Sequence, residues 1–180
     1  MIDIDVKAEV DGVIKALGKL DGEVDRAAAR ALNDASKSMK TEVVRQLKDE
    51  MNLKNQKHLR KHVTIEKATP YKLSAGVVGG GKAVPLSNVK GSKWTKRGGV
   101  KGAYGKHNVH IQRGFKYNNT FFKRTGKKRH PIAVITGPTV PTGMLKNAIT
   151  KAVQVKGQTQ FIKRFDYWID RSLKKLGIRR

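Results

Sequence analysis

Apolar positions along this chain switch between a period of two and a period near 3.6, and the switches mark its elements. Ile2, Ile4 and Val6 alternate with Asp3 and Asp5, the pattern of a short strand. Val10, Val13, Ile14 and Leu17 then fall at helical spacing before Gly18. Val24, Ala28, Ala31, Ala35, Met39, Val43 and Leu47 recur every three to four residues, which predicts an amphipathic helix over about 22–50. Asp21 is its candidate N-cap, with Glu23 and Asp25 favourable in the first turn. The first half of this helix is rich in alanine, so a neighbour can approach its backbone closely. Its length suits a helix that lies under a sheet or also meets another subunit. Asn52 is a candidate cap for a short helix through Arg60. Val63–Ala68 and Lys72–Val78 read as paired strands joined by Thr69-Pro70-Tyr71.

The stretch from Tyr117 to Thr142 combines core and surface chemistry. Thr120, Phe121 and Phe122 are strand formers, and Gly126 offers the left-handed backbone a tight turn uses. Pro131-Ile-Ala-Val-Ile is a short apolar run, expected as a buried or half-buried strand that Gly137-Pro138 ends. Thr142 is a candidate cap for a helix starting near Met144 and ending at Gly157. A last helix, capped by Thr159, follows with Phe161, Ile162, Phe165, Trp168, Ile169, Leu173 and Leu176 on one face, Gly177 at its end, and Lys174, Lys175, Arg179 and Arg180 in or after its last turn. These elements predict an α+β fold: a small, mainly antiparallel sheet (63–68, 73–78, 119–124, 131–136) packed on the long N-terminal helix, a long basic Gly-rich loop, and two C-terminal helices. The chain is read as a single domain over 1–180, with helix and first strands in 1–78, an extended basic arm in 79–118, and strands and C-terminal helices in 119–180.

Charge changes the picture. The formal net charge is +25. Residues 1–67 hold 14 Lys/Arg against 12 Asp/Glu, whereas residues 68–180 hold 25 against only Asp166 and Asp170. A nearly neutral packing module therefore precedes a polycation whose counter-charges come from nucleic acid, acidic protein surfaces, or both. A membrane surface fits less well, because the basic part is glycine-rich loop rather than amphipathic helix. Residues 79–118 contain nine glycines, nine Lys/Arg and no acid, so they read as an arm that orders against a partner or as a flexible insertion. Trp94, Tyr104 and Phe115 are spaced too widely along it for a local core, although aromatics of this kind can stack on bases. Two sets of cations are the candidate partner-facing residues. The first is the turn of Lys123, Arg124, Lys127, Lys128 and Arg129; the second is Lys93, Lys96, Arg97, Lys101 and Lys106 in the arm. A solvated hairpin tip is the alternative for the turn.

Enzymatic chemistry finds little purchase. Metal-dependent transfer needs converging carboxylates, and Asp166 and Asp170 are spaced to balance Lys163, Arg164 and Lys174 along a helix. His58 and His62 stand four apart without a third ligand in view, and His107 and His110 lie in the arm with no carboxylate near. Gly79-Gly80-Gly81-Lys82 lacks phosphate-loop spacing. No cysteine is present, so neither disulfides nor cysteine metal sites arise. No catalytic, cofactor or metal residue is assigned. No run is long and apolar enough for a membrane span, and Met1-Ile-Asp-Ile-Asp does not open like a secretory signal.

The helix AAARALNDASKSMKTEVV, the Pro85-Leu86-Ser87 that opens the basic loop, and FFKRTGKKRHPIAVITGPTVPTGML together resemble the minor tail protein Z family of tailed bacteriophages, over about residues 24–150. The most specific part is the order of features from Phe121 through Pro138; the loop here is richer in Lys and Gly than the family pattern. The resemblance implies a virion structural protein without enzymatic activity, made in the host cytoplasm. It would sit at the neck as a homo-hexameric ring at the head-proximal end of the tail. Its implied partners are a tail-tube or tail-terminator protein, the head–tail connector, and phage DNA in the channel. A basic nucleic-acid-binding protein, of ribosomal or nucleoid type, is the alternative that charge alone leaves open.

Overall fold

The computed structural model describes residues 2–5, 22–81 and 83–175. The expected helix at Val10–Leu17, the Asp21 cap, Lys82, Gly177, Arg179 and Arg180 lie outside the described residues. The described chain forms two compact units, one of residues 1–43, 63–79 and 147–180, the other of residues 44–62 and 80–146.

Helix α1, Glu23–Glu50, has 28 residues, or about 42 Å at 1.5 Å per residue. Its first 21 residues belong to the first unit. There Val24, Ala28, Ala31, Ala35 and Met39 are buried, the stripe that the sequence predicts, and Leu32 is buried with them. The sheet of this unit has strand order β1-β3-β2, with β1 Ile2–Asp5, β2 Val63–Glu66 and β3 Ser74–Gly79, all antiparallel. Thr69 and Lys72 exchange backbone hydrogen bonds of 3.0 Å to close the β2–β3 connection. Asn33 of α1 holds the same connection: its amide donates to the Ala68 carbonyl at 3.0 Å and its oxygen accepts from the Ala68 N–H at 2.9 Å. Buried Glu42 is paired with Lys156 at 2.8 Å.

Lys156 comes from the C-terminal helix, which corrects one expectation. The two C-terminal helices are α3, Val140–Met144, and α4, Asn147–Lys175, and the break falls at Leu145–Lys146 rather than at Gly157. Ile149, Val153, Gly157 and Phe161 are buried at four-residue spacing on one face of α4. Burial of that face outweighs the roughly 1 kcal/mol a mid-helix glycine costs. Thr159 caps nothing; its hydroxyl donates to the Val155 carbonyl one turn back, at 2.9 Å. The cap of α3 is Thr139, whose Oγ1 accepts from the Thr142 N–H at 3.4 Å, so Thr142 is the capped residue.

The second unit begins inside α1. The helix ends in a Schellman motif: Leu53 N–H donates to the Lys48 carbonyl, Asn52 N–H donates to Asp49, and Asn52 sits at φ +53°. Asn52 therefore terminates one helix instead of starting the next. Helix α2, Lys57–His62, is opened by Asn55, whose side chain accepts from the Lys57 N–H at 3.1 Å.

The second unit contains two further sheets. Strands β4 Lys93–Thr95, β5 Gly99–Tyr104 and β6 His107–Ile111 form one, and β7 Phe115–Tyr117, β8 Thr120–Arg124 and β9 Ile132–Val134 form the other. Both are antiparallel. The four strands expected in one sheet are thus split between two. Segment 79–118, expected as an extended arm, is largely folded. Its strands bring Val100 and Tyr104 into a core with Val84, Leu86 and Val89, which stand on either side of and within a 3-10 turn at Leu86–Asn88. Tyr104 donates from its buried hydroxyl to the Val84 carbonyl at 2.7 Å. Glycine is what lets this segment pair so tightly: a Cβ at Gly102 would lie 2.8 Å from the Leu86 side chain.

A candidate partner-facing surface

The β8–β9 hairpin carries the first set of candidate cations. Lys123 and Arg124 end β8, and Lys127, Lys128 and Arg129 follow in the turn. All five are exposed, and none makes an ion pair among the described residues. The turn is closed by Thr125, whose N–H and hydroxyl both donate to the Pro131 carbonyl, at 3.2 and 3.1 Å. Gly126 does not use left-handed backbone, contrary to the reading of the sequence; its surroundings are open. The preceding hairpin, β7–β8, has a two-residue loop, Asn118-Asn119, with φ of +43° and +60°. Two consecutive positive φ values are the type I′ geometry that matches strand twist, and asparagine tolerates them.

Along this sheet the side chains alternate. Phe121 is buried, while Phe122 points the other way, stacked on Phe115 across the β7–β8 pair with ring centroids 5.9 Å apart. Ile132 and Val134 of β9 are exposed, and it is Ile135, beyond the strand, that is buried. The run Pro131–Ile135, expected as a buried or half-buried strand, thus presents Ile132 and Val134 to solvent and buries Ile135. Adjacent phenylalanines in a strand carried that signal, since neighbours must face opposite sides.

The second set of cations lies on the β4-β5-β6 sheet. Lys93 stands directly opposite Lys101, and Lys101 opposite His110. Lys96 and Arg97 occupy the β4–β5 turn, where the Thr95 hydroxyl accepts from the Gly98 N–H at 3.0 Å, and Lys106 occupies the β5–β6 turn. All are exposed. The three aromatics of this region part company: Tyr104 is core, Phe115 is half-buried, and Trp94 remains partly open while its indole donates to the Gly114 carbonyl at 3.0 Å. Burial pushes the Tyr104 phenol above its ordinary pKa.

The histidines do not assemble into a metal centre. His58 and His62 lie with ring centroids 4.6 Å apart, but no group of three or more His, Cys, Asp or Glu among the described residues could hold an ion. His107 lines a small pocket with Glu50, Met51, Tyr104, Pro138, Thr142, Gly143 and Lys146; its carboxylate, Glu50, is bonded to Lys146. No helix among the described residues is long and apolar enough to cross a membrane.

A family model described as prophage minor tail protein Z matches residues 8–179, nearly the whole chain. The chain belongs to the prophage minor tail protein Z family. It is accordingly a bacteriophage tail protein, and the role of a minor tail protein is structural. Nothing among curated proteins or solved structures matches it. In this minor tail protein the unit of residues 44–62 and 80–146 is strongly basic in composition, with 21 Lys/Arg and two acids, Asp49 and Glu50.

Proposed function

We propose that the chain completes the tail at its head-proximal end. It assembles there as a homo-hexameric ring and joins the tail to the head-side connector. The observation that carries this reading is membership of the minor tail protein Z family over residues 8–179. On this reading the whole chain is one tail-completion module, made in the host cytoplasm and built into the neck of the virion. Its contacts are with the tail-tube or tail-terminator protein, the connector and its own copies, and it performs no catalysis. The cations Lys123, Arg124, Lys127, Lys128 and Arg129 face an acidic neighbouring ring or the DNA that passes through the channel, with Lys93, Lys96, Arg97, Lys101 and Lys106 in support. Exposed, unpaired cations on a folded unit are what such a neighbour would neutralise.

The test is reconstitution with the purified tail-tube protein followed by electron microscopy. Rings, or tubes capped at one end, are expected. A chain that stays monomeric and ignores tubes at every concentration overturns the proposal. The nucleic-acid-binding alternative rests on the same charge and is separated by salt titration. A dedicated binder holds DNA or RNA tightly without a protein partner, and its log–log salt slope is steep.

A further inference from the structure

The β7-β8-β9 sheet is turned inside out relative to most half-exposed antiparallel sheets, which bury an apolar face and show water a polar one. One face anchors the sheet through buried Phe121, with Lys116 and Lys123 beside it. The other face carries Phe115, Phe122 and Val134 in one row across the three strands, Tyr117 beyond the first, and Arg124 opposite Ile132 beyond the last. Tyr117 is 63% exposed, Ile132 39% and Val134 38%. Contiguous apolar surface of this kind marks an interaction site. The basic turn that ends in Arg129 adjoins it.

We infer that this face docks an acidic protein surface, one that presents an apolar row flanked by carboxylates; the inference rests on the reading of the chain as a virion component. Charge selects the partner's sign. Four exposed cations, Arg124 on this face and Lys127, Lys128 and Arg129 in the adjoining turn, flank the patch without ion pairs among the described residues. A second copy of the chain brings 39 Lys/Arg against 14 Asp/Glu, a net charge of the same sign as the rim. The apolar composition selects protein over nucleic acid. Base-stacking platforms offer several free aromatic faces in succession, whereas Phe115 and Phe122 are stacked on each other, the third strand contributes only aliphatic side chains, and of this face's aromatics Tyr117 alone is largely exposed. A phosphate backbone gains nothing from covering Ile132 and Val134. A protein row gains their burial, and its carboxylates meet the rim, where charge pairs set orientation and on-rate.

The experiment places p-benzoylphenylalanine at Tyr117, at Ile132 and, as a control, at fully exposed Tyr71 of the full chain in phage-producing cells. Purified particles are irradiated and the adducts sequenced by mass spectrometry. Adducts from 117 and 132, not shared by 71, should map to another virion protein, on a segment where at least two Asp or Glu flank apolar residues. Adducts to DNA, to a second copy of this chain or to a segment without acids overturn the inference, as does a lack of adducts in particles that contain the chain. Absence of the chain from the particles would overturn the virion reading as well, and is scored before irradiation. As an independent arm, Ile132→Ser with Val134→Ser, and separately Lys127→Glu with Lys128→Glu, should each lower the copies per particle about tenfold. The charge-reversed pair leaves the core untouched and should keep the wild-type melting temperature. Wild-type incorporation of both variants overturns the inference.

Discussion

The indole of Trp168 donates a hydrogen bond to Asp34 across 134 residues of sequence, at 3.1 Å, and so ties α4 to α1 within the first unit. The same ring is flanked by two guanidinium groups, Arg30 at 5.2 Å and Arg171 at 5.4 Å from its centroid. One side chain thus combines apolar burial, a charge-assisted hydrogen bond and two cation–π contacts. Trp168→Phe keeps most of the burial and loses the donor; it should cost about 1.5–3 kcal/mol. Trp168→Ala loses all three and should cost about 3–5 kcal/mol. Urea denaturation followed by circular dichroism reads both. Equal losses for the two variants would show that the hydrogen bond carries the whole effect.

Asp34 links this contact to pH. Burial pushes its carboxyl up, but hydrogen bonds from Lys37 and Trp168 outweigh that, and it titrates below its ordinary value of 3.8. A depressed carboxyl contributes stability that is fully present above the unfolded-state value and is lost as pH falls through the folded-state value. The stability gap between wild type and Asp34→Asn should therefore be constant from neutral pH down to about 5 and close below about 4. Melting curves at intervals between pH 3 and 7 measure it. A gap that widens toward acid would reverse the assignment.

Tyr104 and Gly137 are closely packed in the second unit. A Cβ at Gly137 would lie 2.3 Å from the tyrosine ring, which is itself held by the hydroxyl bond to Val84. Gly137→Ala should destabilise by about 1–3 kcal/mol through overpacking. Tyr104→Phe leaves the Val84 carbonyl without this donor and should cost about 1 kcal/mol. Because the ring remains in Tyr104→Phe, the alanine penalty should persist in the double variant, and a thermodynamic cycle on the melts tests that.

Local pattern was legible where one physical rule dominated. The long stripe from Val24 to Leu47 predicted α1 to within a residue at each end. The turn residues Thr69 to Tyr71 predicted the β2–β3 pairing. Misreadings arose where tertiary contacts override local preference. Gly157 looks like a stop and is a close-packed helix position. Asn52 looks like a start and is a left-handed stop. The segment 79–118 looks unstructured by composition, because lysine and glycine dominate it. Yet Val100 and Tyr104, placed alternately on one strand, need only Val84, Leu86 and Val89 from the same region to make a core. The candidate cations were legible as charge. Their mutual placement was not, since it depends on the strand register that sets Lys93 against Lys101.

That register supports the last prediction. Like charges directly opposite on neighbouring strands destabilise the pair by roughly 0.2–1 kcal/mol, and here Lys101 faces Lys93. The sheet accordingly holds a repulsion that an anion would relieve. Lys101→Glu should raise the melting temperature at low ionic strength, and the gain should shrink by 1 M salt, where the screening length is about 3 Å. Polyglutamate added at low salt should stabilise the wild type more than the variant, because the variant already supplies its own counter-charge. If Lys101 faces a partner in the assembled tail, the same substitution should lower incorporation into particles while raising stability, the trade expected where a surface is kept strained for binding. A variant that is more stable and incorporates normally would assign Lys101 to solvent rather than to an interface.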